Sequence, residues 1–356
     1  MHMADALLSP AVGGSLWVAS AAVIAHCSRK VRTEMNDGII PLMGVLGAFI
    51  FSAQMINFSI PVTGSSGHLG GGLILAILLG PYAAFLTIAS VLVVQAFFFA
   101  DGGLLALGCN IFNLGFLPAF IAYPFIYKKI IGTTASPARI SLASLAAAVV
   151  GLQMGAFAVV VETVASGITS LPFVAFATIM QPIHLAIGIV EGIATATVIS
   201  FVYNARPEML QRALAARPST HRPARSMLFG FLAAAILTGG VISLYASERP
   251  DGLEWTIAKL TGQEQLQGAS TGVHTLLATL QQKVAFLPDY LITMGENDSS
   301  RKFSSVQIPV NNQKVVVHGT DRNKLGSSIS GIIGGTLTLG LALIIGYLLR
   351  GRGQTV

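Results

Sequence analysis

Charge is what this chain lacks most. Only 10% of its 356 residues are Asp, Glu, Lys or Arg, against about 25% in soluble domains, while 53% are apolar and 38 are glycine. So few charges cannot cover a water-exposed surface, and the composition reads as a polytopic membrane protein. Cysteine is almost missing as well. Cys27 and Cys109 lie in apolar surroundings, without a CxxC partner or the density of a disulfide scaffold, and read as packing residues. No GxxxxGK[ST] segment is present to cradle a nucleotide, and no HExxH to build a zinc hydrolase. The surplus of 21 basic over 15 acidic residues, +6 in all, matters through where it falls along the chain, and nucleic-acid binding is disfavoured.

Crossing a bilayer takes about 20 helical residues. Apolar runs of about that length occur near 13–28, 39–57, 83–100, 107–127, 138–163, 176–204, 226–246 and 328–349. A ninth, shorter stretch, 69–79, opens on Gly70, Gly71 and Gly72 and closes on Gly80-Pro81; it is too apolar for an exposed loop and counts as a short span. The expected fold is therefore all-α and polytopic, with about nine transmembrane helices. Nine spans place Arg29, Lys30 and Arg32, Lys128, Lys129 and Arg139, the arginines of 205–225, and Arg350 and Arg352 on one side. Short cytoplasmic loops gather Lys and Arg, so the N-terminus is expected outside and the C-terminus in the cytoplasm of a cell-membrane protein. Residues 205–225, basic and proline-containing, read as a linker between a first membrane domain, 1–204, and a second, 226–356. The second domain reads as a two-helix hairpin around one large outer loop, 247–327. That loop carries a helical pattern around 270–285 and strand-like runs SVQIPV and KVVVHG.

The chain begins MHMADALLSPAVGG, without the basic n-region of a secretory signal, and bulky His2 disfavours removal of the initiator. Met1 is therefore expected to keep a free α-amine on the outer face. A histidine in position two then offers three nitrogens: the Met1 amine, the Met1–His2 amide and an imidazole nitrogen, closing fused five- and six-membered rings. Square-planar nickel(II) or copper(II) suits that set better than zinc or magnesium. An amine of pKa about 7.7–8 and an imidazole near 6.5 must both be unprotonated, so such a site loses metal below neutral pH. The bland reading is a terminal residue beside a membrane. His68, in the glycine-flanked outer loop NFSIPVTGSSGHLGGG, is the candidate fourth donor, or else a satisfied loop histidine.

Asp101, Asn110 and Asn113 belong to a third polar segment. The two asparagines share an α-helical face by their i, i+3 spacing; they either bond helices together or orient the His2 and His68 segments. Asp101 is a weaker candidate for that support. His184 and Glu191 lie seven residues apart on one helical face, about 10 Å along the axis. An intramembrane carboxylate is a functional candidate by default. Gly188 and Gly192, however, make a GxxxG packing surface that would account for both side chains as a helix contact. Glu162 reads as interfacial.

MHMADALLSP, PVTGSSGHLGGG, FFADGGLLALGCNIFNLG and QPIHLAIGIVEGIATA resemble the CbiM/NikM family, the substrate-binding membrane subunits of energy-coupling-factor transporters for cobalt and nickel. The resemblance covers residues 1–204. Residues 226–349, with PDGLEW at 250–255, are similar to the companion subunit CbiN/NikN, here fused. The resemblance implies that Co(II) or Ni(II) is the transported substrate, held by the Met1 amine, the His2 amide and imidazole, and the His68 imidazole. It also implies partners: a CbiQ/NikQ-like transmembrane coupling subunit and a CbiO/NikO-like cytoplasmic ATPase, in keeping with the missing P-loop. The chain is thus expected to be a transporter subunit and not an enzyme. The competing expectation is an ion-gradient transporter that relays protons through Glu191 and His184.

Overall fold

The computed structural model describes residues 2–34, 37–61, 63–207, 210, 225–263, 266, 272–291, 305–310, 313–318 and 324–350. Met1 and most of the 205–225 segment lie outside the described residues.

The chain is mostly helical. In order come α1 (Pro10–Glu34), α2 (Ile40–Gln54), a two-residue pairing of β1 (Phe58–Ser59) with β2 (Ser66–Gly67), α3 (Gly72–Leu79) and α4 (Pro81–Phe99). Then follow α5 (Leu107–Ile131), α6 (Pro137–Ser166), α7 (Phe173–Ala205), α8 (Arg225–Gly240), α9 (Gly252–Thr261) and α10 (Val273–Val284). The antiparallel hairpin β3 (Ser305–Val310) with β4 (Gln313–His318) precedes the last helix, α11 (Lys324–Leu348). Among the described residues seven helices are long and apolar enough to cross a membrane, against nine expected spans. The other two expected spans are shorter: α2 has 15 residues and α3 has 8. At 1.5 Å per residue α3 covers about 12 Å, less than half of a hydrocarbon core of about 30 Å. The preceding loop makes up the difference by running down into the bundle, which is why Ser65, Ser66, Gly67 and Gly70 are buried.

The helices pack by small residues. A Cβ added at Gly192 would lie 2.7 Å from Leu145 Cα, and one at Gly188 3.0 Å from Val149 Cα, so the GxxxG face of α7 seats directly on the backbone of α6. Within α5 the turns widen to π type over Phe112–Tyr127, around Pro118 and Pro124; proline has no N–H to give and disrupts the regular ladder. Helices α8 and α11 pack on α2 and on each other, so the C-terminal hairpin joins the same bundle. Large apolar side chains left bare on the perimeter, Val174, Phe201 and Phe229 among them, form the surface a bilayer would cover. Cys27 and Cys109 are buried and unpaired.

Candidate metal centre

The N-terminal segment is pinned before α1 begins. Met3, Leu7 and Leu8 are buried, and Asn110 grips the Met3 backbone at both ends, accepting from its N–H at 2.9 Å and donating to its carbonyl at 3.3 Å. The Gly103 N–H donates to the same carbonyl at 2.9 Å. Asp5 accepts from the Ala106 N–H at 2.9 Å, and the Trp17 indole donates to the Leu104 carbonyl. These bonds fix the chain just beyond His2 against Asn110 and the turn at 101–106.

The second segment, 57–71, is a compact loop closed by the pairing of Phe58 with Gly67 and Ser59 with Ser66. At its lower end the Gly70 and Gly71 N–H groups donate to Glu191 Oε2 and Oε1 at 2.8 and 3.0 Å. Gly71 has φ +77°, in the left-handed region that glycine adopts without strain. The Gln54 amide donates to the Gly70 carbonyl at 2.8 Å, and Gln95 in turn donates to Gln54.

Between these two anchored segments the His2 and His68 rings stack, centroids 5.1 Å apart and planes 10° from parallel. His2 Nδ1 faces Asp101 Oδ1 at 3.2 Å, and the His2 side chain is only 6% exposed. Its Nε2 is buried without a hydrogen-bond partner among the described residues. His68 Nδ1 lies 3.0 Å from the Leu69 carbonyl; a proton placed on Nδ1 by that bond leaves the lone pair on Nε2, the tautomer a metal ligand needs. Burial, reinforced by repulsion from His2, pushes the His68 pKa down to about 3. Burial alone would raise the Asp101 carboxyl, but attraction and hydrogen bonding from His2, with a further bond from the Tyr290 hydroxyl, hold it well below the usual carboxylate range. Among the described residues no three His, Cys, Asp or Glu side chains form a metal cage. Two imidazoles converge instead, which is the number of side chains the expected chelate uses. The six-membered ring of that expected chelate would use His2 Nδ1, the nitrogen that here faces Asp101 Oδ1.

The C-terminal region closes over the pair. Ser66 donates its N–H to the Pro250 carbonyl at 2.8 Å and its hydroxyl to Arg249 at 2.7 Å, and the Ser247 N–H donates to the Asn57 carbonyl at 2.7 Å. Asp251 and Glu254 form a reciprocal capping box that starts α9. Gly252 sits against Ile183 and His184, with no room for a side chain. From α10, Gln281 donates to the carbonyls of Ala96 and Gly102, and the His274 ring bonds the Leu8 carbonyl at 2.8 Å. Tyr290 donates to Asp101 Oδ2. The residues flanking that bond are held in uncommon backbone: Ala100, Asp289 and Tyr290 have φ of 52°, 53° and 62°. Non-glycine residues hold such values at a cost of order 1–3 kcal/mol each, and they persist where surrounding contacts impose them.

The remaining candidates lie elsewhere. Asn113 donates to Glu162 at 2.9 Å, because the helix widens from Phe112 and the two asparagines no longer share a face. Glu162, near the end of α6, is buried at 7% exposure. His184 and Glu191 do not meet: His184 Nδ1 bonds its own helix at the Met180 carbonyl, 2.9 Å away, while the Glu191 oxygens take Gly70 and Gly71. Asn113 and Glu191 line a small cavity with Gly70 and Pro118.

A profile described as the cobalt uptake substrate-specific transmembrane region, CbiM, matches residues 2–209. The chain belongs to the CbiM family. A second profile, the PDGLE domain, matches 225–351, and its motif is Pro250 to Glu254 here. Among similar proteins are a putative metal transport protein of Haloquadratum walsbyi, 43% identical over 35% of this chain and 56% of that one, and a putative fused nickel transport protein NikMN of Archaeoglobus fulgidus, 39% identical over 36% of this chain and 42% of that one. The probable fused nickel transport protein LarMN of Lactiplantibacillus plantarum is 38% identical over 35% of this chain and 38% of that one. The match thus spans about half, or less, of these relatives. A crystal structure described as a truncated transition metal transporter aligns with TM-score 0.51 and 28% identity, covering 58% of this chain and 99% of that one. A second, described as a transition metal transporter, aligns with TM-score 0.52 and 27% identity over 60% and 97%.

Within the CbiM region the sequence reading did not single out Asp5, Gln54 or Ser66, and within the PDGLE region it missed Tyr290, His274 and Gln281. Asp5 and Ser66 stood inside motifs already noted. The others are ordinary polar residues until folding brings partners 16 to 266 positions away beside them.

Proposed function

We propose that this chain is the substrate-binding membrane component of a cobalt or nickel uptake system of the energy-coupling-factor type. The metal is taken from outside by the Met1 α-amine, the His2 amide and imidazole, and the His68 imidazole. The observation that carries this reading is the convergence of the buried His2 ring and His68, from segments 66 residues apart in sequence, with the His2 Nδ1 that the chelate uses held 3.2 Å from Asp101 Oδ1. Asn110 and Asp101 orient the His2 segment, and the fused CbiN/NikN-like region caps the site and acts in its loading. Release inward is driven by a CbiQ/NikQ-like coupling subunit and a CbiO/NikO-like ATPase. The side-specific clustering of basic residues supports an N-terminus outside and a C-terminus in the cytoplasm. The engagement of both Glu191 oxygens by backbone N–H groups argues against a proton relay through His184.

The test is metal content of the purified chain under nickel and cobalt competition, beside a version with residues added before Met1. Near one equivalent in the native chain and none in the extended one is expected, since extension removes the free amine. Equal binding by both would move the site elsewhere.

Acid should release the metal, because protons compete for amine and imidazole nitrogens, yet His68 takes no part in that competition. Unfolded, His68 would gain its proton near its ordinary value of 6.5; folded, it stays neutral to about pH 3. The unfolded state therefore binds more protons across that window, and the His68 contribution to stability falls as pH drops through it. Imidazole NMR of the metal-free protein should show no His68 titration between pH 8 and 4; a midpoint near 6.5 would refute this.

A further inference from the structure

Glu191 lies well inside α7 and is 3% exposed, where an ionised carboxylate is tolerated only if its oxygens are satisfied. Both are, by the N–H groups of Gly70 and Gly71. Those donors belong to the two residues that lead into α3, Gly71 being its N-cap. Glu191 therefore fixes the entry to α3 from a different helix. The Gly70 carbonyl is held as well, by Gln54 of α2, itself braced by Gln95 of α4. The Gly70–Gly71 backbone, two residues beyond His68, is thus gripped from two helices, α7 and α2, with α4 bracing the second. The approach leaves no slack: a Cβ at Gly70 would sit 3.2 Å from Glu191 Oε2.

We propose that Glu191 is the positioning residue for the metal ligand His68, touching the metal nowhere but fixing the backbone from which that imidazole projects. The inference rests on the reading of His68 as a ligand. The segment GSSGHLGGG has almost no conformational preference of its own, and fixing a residue costs about 1–2 kcal/mol of backbone entropy. The Glu191 grip meets that cost in the folded protein, before metal arrives, so binding energy goes into the metal bonds. Because α7 continues to Ala205, the same carboxylate ties the ligand loop to a helix that runs through to the opposite end of the bundle. A shift of α7 is felt at His68.

The test compares nickel binding by the full-length protein with that of E191Q, H68A and Thr197→Ala, an exposed control on α7. E191Q is isosteric but turns an amide NH2 toward one of the glycine N–H groups. Its nickel affinity is expected to fall about 10- to 100-fold, with the visible band of the bound ion displaced toward that of any residual H68A complex. Thr197→Ala should match the native chain. Native affinity and spectrum in E191Q, with binding lost in H68A, would overturn the positioning role alone. Native binding in H68A would overturn the ligand assignment beneath it. If E191Q does not fold, amide hydrogen exchange on the unaltered chain decides. Gly70 and Gly71 protected before nickel is added support the proposal, and exchange at the rate of an unstructured loop overturns it.

Discussion

His2→Ala and His68→Ala are each expected to lower nickel or cobalt affinity by about two to three orders of magnitude, one nitrogen's share of a four-ligand site. Expression and helical content should stay native. His2→Ala leaves the amine and amide nitrogens but removes the six-membered ring, so the remaining donors no longer enclose three corners of a square. His68→Ala leaves the three-nitrogen chelate intact and opens the fourth corner. The two losses therefore differ in kind: the first removes chelation, the second exchanges an imidazole for a weaker donor such as water. His26, which stacks edge-on with Tyr82 well away from the site, is the matched control, and His26→Ala should bind as the native chain does. Competition against a coloured chelator on purified protein, beside uptake in cells, makes the measurement. Retention of native affinity by either site variant would remove the chelate from the mechanism.

The sequence allowed the ligand candidates to be named because their chemistry is local. A histidine in second position beside a free amine is a chelator wherever the chain goes, and a histidine among five nearby glycines announces a loop built for close approach. The helical fold was legible for the same reason, since long apolar runs report themselves. What could not be read was anything that depends on who meets whom. Glu191 was visible as an expensive intramembrane acid, and its seven-residue spacing suggested His184. Its partners are instead backbone N–H groups about 120 positions earlier, which carry no residue-type signature. Asn110 and Asn113 looked equivalent by α-helical spacing until the π-type turns from Phe112 separated them. The stretch 69–79 is apolar, yet the shortness of α3 has a cause that composition could not show, the descent of the His68 loop to Glu191. The PDGLE region's reach to Asp101 through Tyr290 was equally hidden, because one tyrosine in a polar loop has no distinguishing context.

Gly103→Ala is expected to weaken metal binding about 10- to 100-fold without touching a ligand, the scale seen when the groups that orient ligands are removed. The Cβ it adds would lie 1.8 Å from Asp5 Oδ1, 2.4 Å from Asp5 Cγ and 2.5 Å from the Asp5 backbone nitrogen. An overlap with side chain alone could be relieved by a rotamer change; one that includes backbone forces the 2–8 segment to lift. Lifting breaks the Gly103 N–H bond to the Met3 carbonyl and the Ala106 N–H bond to Asp5, two of the contacts that fix His2 from its C-terminal side. Overpacking of this kind costs about 1–3 kcal/mol, enough to displace the segment while leaving the helical bundle folded. Gly14→Ala is the informative comparison. It adds the same methyl group only a few residues beyond that segment, within α1, where nothing lies within 4 Å of the new atom. Alanine in a helix is favoured over glycine by about 1 kcal/mol, so this variant should bind metal as the native chain does and unfold no more easily. A Gly103→Ala protein with native affinity would mean that His2 reaches the metal without the support of the 101–106 turn, and the N-terminal segment would then have to be anchored by Asn110 and His274.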